Sequence, residues 1–139
     1  MYEKILVAAD GSDHSKRAAH EAVKMAKVNP QAFITLLYVI DYEKARTEIL
    51  HGQSSDEVHL ERRKHLVPLE EIFRSSGVNF ETKTLHGVPG PTIVKHANET
   101  GYDVVLIGSR GLNALQEMVL GSVSHKVAKR VEAPVIIVK

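Results

Sequence analysis

The strongest chemical pattern lies late in the chain. Gly108-Ser109-Arg110-Gly111 is followed, nine residues on, by Gly121-Ser122. Gly108 directly follows the apolar run Val104-Val105-Leu106-Ile107, so it ends a buried strand and its backbone faces whatever lies beyond. Glycines at such a point let backbone N–H groups approach phosphate oxygens with no Cβ in the way. Gly121-Ser122 stands just before the last helical pattern, where a helix N-terminus offers unpaired N–H donors and the positive end of its dipole. Ser122 and Ser124 add hydroxyl donors, and Arg110 or Lys126 supplies positive charge. Together these residues make a phosphate cradle largely from backbone. The same glycines also read as ordinary turn residues, and spacing alone does not separate the two readings. The chain has neither a GxxxxGK[ST] loop nor a GxGxxG fingerprint.

Other chemistry is less well supported. The eight histidines show no HExxH and no pair at i,i+4 spacing, so a zinc site is not expected and most should be solvated. His14 and His125 fall near the expected crevice and could approach a phosphate. There is no GxSxG elbow, and no oriented His–Asp partner for Ser109 is legible. Asp10, Asp41 and Glu117 show no paired-carboxylate geometry. Glu61-Arg62-Arg63-Lys64 reads as a solvated helix face.

The elements that must position these residues follow from hydrophobic period. Ile5-Leu6-Val7-Ala8-Ala9 is a strand buried on both faces, stopping at Asp10-Gly11-Ser12. Ser12 or Asp13 caps the helix that follows, whose stripe is Ala18, Ala19, Ala22, Val23 and Ala26. Phe33 to Ile40 is a second buried strand. Residues 41–57 read as a loop with a frayed helix start. Residues 58–75 form a helix with Leu66, Leu69, Ile72 and Phe73 on one side; Pro68 should kink or interrupt it, and Gly77 should cap it. Val78 to Leu85 is a polar-flavoured strand suited to a sheet edge. Pro91 should sit at the first position of a short helix with an Ile93, Val94 and Ala97 face, ending at Gly101. Val104–Ile107 is a third buried strand. Helical turns are expected around Leu115 to Val119, then a last helix marked by Val123, Val127, Ala128 and Val131. Pro134 stops it before the strand Val135 to Val138.

The order is βαβαβαβαβ: an open, Rossmann-like α/β fold of five parallel strands with helices on both faces, expected as a single domain over residues 1–139. Ligands in such sheets bind beyond the carboxyl ends of the strands where strand order reverses. That places a candidate site at Asp10-Gly11, Val39-Ile40-Asp41 and Gly108 onward. Lys+Arg 18 against Asp+Glu 17 leaves net charge +1, so no nucleic-acid partner is expected. No cysteine is present, which excludes disulfide and thiolate chemistry. No apolar run approaches the ~20 residues of a membrane span, and no signal peptide is legible, so a cytoplasmic location is expected.

Gly108-x-x-Gly111-(nine residues)-Gly121-Ser122 resembles the nucleotide signature of the ATP-binding universal stress proteins. Ile5 to Ser12, Gly87-x-Pro89, Gly121-Ser122-Val123-Ser124-x-Lys126-Val127 and Ala133-Pro134-Val135 resemble further stretches of that family. The resemblance covers essentially the whole chain, least distinctively at 41–57. It implies strand order 3-2-1-4-5, binding of ATP or AMP (with Mg2+ as a companion of ATP), homodimers and a role in stress response. It would place Asp10 on the ribose hydroxyls, the Val39 backbone on adenine, and Gly108, Gly111, Gly121 and Ser122 on the phosphates, with Ser124 beside them. Gln116 and Glu117 stand where many relatives resemble a more basic loop. A carboxylate there disfavours a triphosphate unless it points away or meets a metal, which leaves the number of phosphates open. A regulatory nucleotide binder is expected rather than an efficient enzyme, with weak ATP hydrolysis at most; the rivals are a slow ATPase or nucleotidyl-transfer enzyme, and a dimeric interaction protein with an empty crevice. In the implied order Val135–Val138 is an apolar edge strand, which two copies could pair antiparallel.

Overall fold

Strand β1 (Lys4–Ala8) is apolar at four consecutive positions because both of its faces are covered. In the computed structural model, which describes residues 2–41, 46, 50, 52, 55–111 and 120–139, it lies at the centre of the sheet. It is followed by α1 (Asp13–Lys27), β2 (Phe33–Ile40), α2 (Ser55–Ser76), β3 (Phe80–His86), α3 (Pro89–Thr100), β4 (Val104–Gly108), α4 (Ser122–Arg130) and β5 (Val135–Val138). All pairings are parallel, in the order β3-β2-β1-β4-β5. The predicted α/β class, strand order and two-faced covering are therefore observed.

Strand side chains alternate between faces. Ile5, Val7, Ile34, Leu36, Val104 and Leu106 pack with the alanine stripe of α1 and with Leu66, Leu69 and Phe73 of α2. Leu6, Ala8, Leu37, Val105 and Ile107 pack on the other side with Ile93 and Ala97 of α3 and Val127 of α4. Small residues on α1 bring that helix close to the sheet, and this closeness shapes the site.

Several local expectations are corrected. Pro68 does not interrupt α2, which is helical from Ser55 to Ser76. Pro68 is exposed, while Leu66, Leu69 and Phe73 around it are buried. Burying three such side chains is worth about 1.5–3 kcal/mol each, more than the roughly 3 kcal/mol a proline costs inside a helix. The helix ends as expected at Gly77, where the Gly77 amide donates to Arg74 O (3.2 Å) and the Val78 amide to Phe73 O (3.4 Å). Pro89, not Pro91, is the first residue of α3. Ala128 is exposed, and Ser124 takes the buried position on α4 instead. Strand β3 begins at Phe80, later than Val78. The turns expected around Leu115 to Val119, Gln116 and Glu117 included, lie outside the described residues, as does much of 41–57.

Candidate functional site

Strand order reverses between β1 and β4: the chain leaves β1 for a helix on one face and leaves β4 for a helix on the other. The carboxyl ends of these two strands carry Asp10-Gly11-Ser12 and Gly108-Ser109-Arg110-Gly111. They are in close contact. A Cβ on Gly111 would lie 2.7 Å from Asp10 Oδ2. A Cβ on Gly108 would lie 2.7 Å from His14 Cβ and 2.8 Å from the His14 carbonyl carbon. Glycine at 108 is therefore a matter of space, set by how near α1 approaches β4, while a side chain at 111 would meet the Asp10 carboxylate.

Asp10 Oδ1 accepts from the Ser12 amide (2.9 Å), which fixes the turn and leaves Oδ2 on the Gly111 side. Gly11 has φ +89 and no room for a Cβ, which would fall 2.6 Å from His65 Cβ. His65, on α2, is bonded through Nδ1 to the Tyr38 hydroxyl (3.1 Å). These two residues stand beside the Asp10 turn and were not singled out by the sequence. Nothing in their spacing, 27 residues apart on different elements, signals the contact.

Val39 is oriented by the ladder. Leu37 O accepts from Ala9, on the β1 side, and Ile40 O accepts from Gly87, on the β3 side. Strand backbone groups alternate, so the Val39 N–H and C=O point to the β1 side, beyond Ala9 where β1 has ended. The Val39 side chain packs in the core on the α3–α4 face.

The start of α4 is locked onto the end of β4. The Gly121 amide donates to Ser109 O (2.8 Å), the Ser109 amide to Val138 O (2.8 Å), and the Ser124 hydroxyl to Gly108 O. Two expected phosphate donors, the Gly121 N–H and the Ser124 hydroxyl, are therefore already used within the protein. Ser124 is a buried fastener at 3% exposure. The first intrahelical bond runs from His125 N to Gly121 O (2.9 Å), so the amides of Ser122, Val123 and Ser124 have no acceptor inside the helix. Gly121, the N-cap, has no side chain to cap them, and the first turn has no acidic residue. Ser122 is exposed at that end.

His14 joins the two halves. Its Nδ1 is 3.1 Å from Ser109 Oγ and its Nε2 is 2.9 Å from Arg110 Nη2. A guanidinium only donates, so Nε2 must accept; the ring proton then sits on Nδ1 and is donated to Ser109. In this arrangement His14 cannot act as a base toward Ser109. Among the described residues no group of three His, Cys, Asp or Glu could hold a metal ion. No described helix is long and apolar enough to cross a membrane.

The family model described as "Universal stress protein family" matches residues 1–139. The chain belongs to the universal stress protein family. It is 39% identical to universal stress protein YxiE of Bacillus subtilis, over 100% of both chains. Among solved structures it is similar to the hypothetical protein MJ0577, with TM-score 0.86 and 28% identity over 100% of this chain and 96% of that one. A universal stress protein solved in complex with cAMP has TM-score 0.71 and 24% identity, over 99% of this chain and 97% of that one. Within this universal stress protein the structure brings Asp10, Gly108, Arg110, Gly111, Gly121 and Ser122 to the strand-order reversal, with the Val39 backbone directed toward it. It sets Ser124 beneath them.

Proposed function

We propose that this chain is an adenine-nucleotide-binding regulatory protein of stress response, with the nucleotide lying across the carboxyl ends of β2, β1 and β4. The carrying observation is the start of α4. Three amides there lack intrahelical acceptors, and the turn is fixed in place by the Gly121–Ser109 bond beside Gly108 and Gly111. Ser122, its helix amides and Arg110 hold phosphate, with Gly108, Gly111 and Gly121 keeping the approach open. Asp10 accepts from the ribose hydroxyls through Oδ2, and the Val39 backbone meets the adenine edge. Solved universal stress proteins that hold cAMP, dAMP and AMP support an adenine nucleotide as the ligand.

AMP and ATP both fit this reading, and Mg2+ would arrive with ATP, held mainly by its phosphates. We place the protein in the cytoplasm as a homodimer joined through β5. Mass spectrometry of ligand released from protein purified without added nucleotide, followed by calorimetric titration of the stripped protein with AMP and ATP, tests the reading. Saturable binding near one equivalent per chain is expected. Stripped, folded protein that takes up neither nucleotide refutes it.

A further inference from the structure

We propose that His14 is a positioning residue for the phosphate site: it holds Arg110 in a stored orientation that a bound phosphate takes over, and proton uptake by His14 favours the transfer. The proposal rests on the phosphate assignment above. Its structural part stands on this chain alone. Arg110 Nη2 donates to His14 Nε2 at 2.9 Å, and His14 Nδ1–H donates to Ser109 Oγ at 3.1 Å. The imidazole is thus clamped between two consecutive residues of the glycine loop, 95 and 96 positions away in sequence. Backbone contact of α1 with Gly108 leaves little slack: a Cβ at 108 would meet both His14 and the Ser15 amide.

Arg110 is the cation nearest the glycine backbone by sequence, yet its Nη2 is directed at a neutral ring. A phosphate is a far stronger acceptor for a guanidinium than an imidazole is, because the pair is charge-assisted and bidentate. Entry of a phosphate beside Ser122 therefore competes with His14 for Arg110. Once Arg110 leaves, Nε2 loses its donor and is free to bind a proton. The converse holds by linkage: a protonated ring has no lone pair for Arg110, the two cations repel, and Arg110 is released toward an anion. Asp10 is the charged group of the β1–α1 turn, and Lys139 follows β5, which packs against α1. On its own helix the flanking charges are Asp13, Lys16 and Arg17. Of the described groups around it, Arg110 is the one bonded to the ring as a charge.

The test has two arms. In the ligand-free protein at pH 7.5, imidazole 15N shifts should show His14 with its proton on Nδ1; a ring protonated on Nε2 overturns the clamp. In the second arm, AMP affinity is measured from pH 7.5 to 5.5 for wild type and for His14→Gln, which keeps an acceptor for Arg110 but does not titrate. Because the ligand's own ionisation is common to both, only the difference counts. Wild type should gain about threefold to tenfold in affinity over the variant as pH falls, the size of one added charge about 6 Å away at the surface. Adenosine, lacking phosphate, should show no difference. Parallel pH profiles for AMP, or an equal effect with adenosine, refute the transfer. Arg110→Gln, checked for native circular dichroism, should reduce the gain, since no side chain is left to release; an undiminished gain would show the His14 charge acting on the phosphate directly and refutes the transfer. If AMP binds neither protein at any pH, the nucleotide reading fails by itself. Inorganic phosphate titrated against the His14 resonances then decides the clamp: movement supports it, and unchanged shifts overturn it.

Discussion

Gly108 and Gly121 differ in what a side chain would meet, and the difference separates folding from binding. At Gly108 a Cβ would lie 2.7 to 3.0 Å from the Cβ and carbonyl carbon of His14 and the Ser15 amide. Two of those three atoms are backbone, so α1 itself would have to retreat from the sheet. Overpacking of that kind costs about 1–3 kcal/mol. For a chain of this size that is a Tm loss of roughly 4–12 °C, taking about 4 °C per kcal/mol. Gly108→Ala should show that loss without any ligand. At Gly121 φ is −60 and the nearest atoms to a Cβ are at 3.4 Å. Gly121→Val should therefore stay close to wild type in ligand-free Tm, while its methyl groups crowd the approach to the Ser122 and Val123 amides. AMP at 100 times Kd should stabilise wild type by about 2.7 kcal/mol, roughly 11 °C. A hundredfold loss of affinity in Gly121→Val leaves about 0.4 kcal/mol at the same AMP concentration, or under ~2 °C. Differential scanning with and without AMP reads all four numbers. A Gly121→Val protein with native circular dichroism and a full AMP shift would refute the phosphate assignment. A Gly108→Ala protein as stable as wild type would refute the packing argument.

Asp10→Asn keeps the Oδ1 acceptor for the Ser12 amide but removes the charge. It should weaken AMP by about 1–3 kcal/mol and 2′,3′-dideoxy-AMP much less; equal losses in titration calorimetry would show that Asp10 acts through the turn alone. On β5, the carbonyls of Pro134 and Val138 accept from β4, so by alternation Ile136 also faces β4 and Ile137 faces the open edge. Ile137→Pro should then give a folded monomer by light scattering at micromolar concentration, whereas Ile136→Pro should unfold; a wild-type monomer, or a dimer unaffected by Ile137→Pro, contradicts pairing through β5. His96 is held below the ordinary histidine value of 6.5, first by burial and then by Lys83, against the opposing pull of Glu99 and Glu81. The unfolded chain therefore takes up a proton there before the folded one does, so stability contributed by neutral His96 is complete above pH 6.5 and is lost as pH falls below it. The Tm of His96→Asn should fall less than wild type between pH 7.5 and 5, and identical falls would remove His96 as a cause.

Strand positions were legible because burial on both faces leaves uninterrupted apolar runs, as in Ile5–Ala8 and Val104–Ile107. Strand order was not legible from those runs. It rested on the family resemblance, since each crossover could lead to either side. Pro68 does not break its helix: its local cost is visible in sequence, whereas the burial of Leu66, Leu69 and Phe73 that outweighs it is tertiary. Within the site, the glycines stood out by type, whereas the Arg110–His14–Ser109 clamp and the His65–Tyr38 pair arise only when the sheet brings distant segments together. Ser124 shows the same limit from the other side. A serine near a glycine signature suggests a ligand donor, but its place in the helix turns it inward to Gly108 O.

Helices that follow strands in this sheet begin at the same carboxyl edge, so proximity alone does not say which of them receives an anion. Their first turns do. In α1 the Ser12 hydroxyl accepts from the Ser15 amide, Asp10 accepts from Ser12, the Ser15 hydroxyl accepts from Gly11, and Asp13 adds negative charge to the first turn. That terminus has a capping side chain for the Ser15 amide and an acid in its first turn, so its dipole is already answered. In α3 the N-cap is Val88, which has no capping side chain, but Pro89 and Pro91 carry no amide hydrogen and Thr92 N bonds Val88 O at 3.0 Å. Two of its first donors do not exist. Only α4, among these three, starts with a full set of amides and with neither a capping side chain on its N-cap nor an acid in its first turn. Gly121 leaves uncapped a first-turn donor that a serine or aspartate at that position would have satisfied, and glycine there is not required by φ. The arrangement makes physical sense when the missing acceptor is supplied by a ligand, and a phosphate group supplies both the oxygens and the charge.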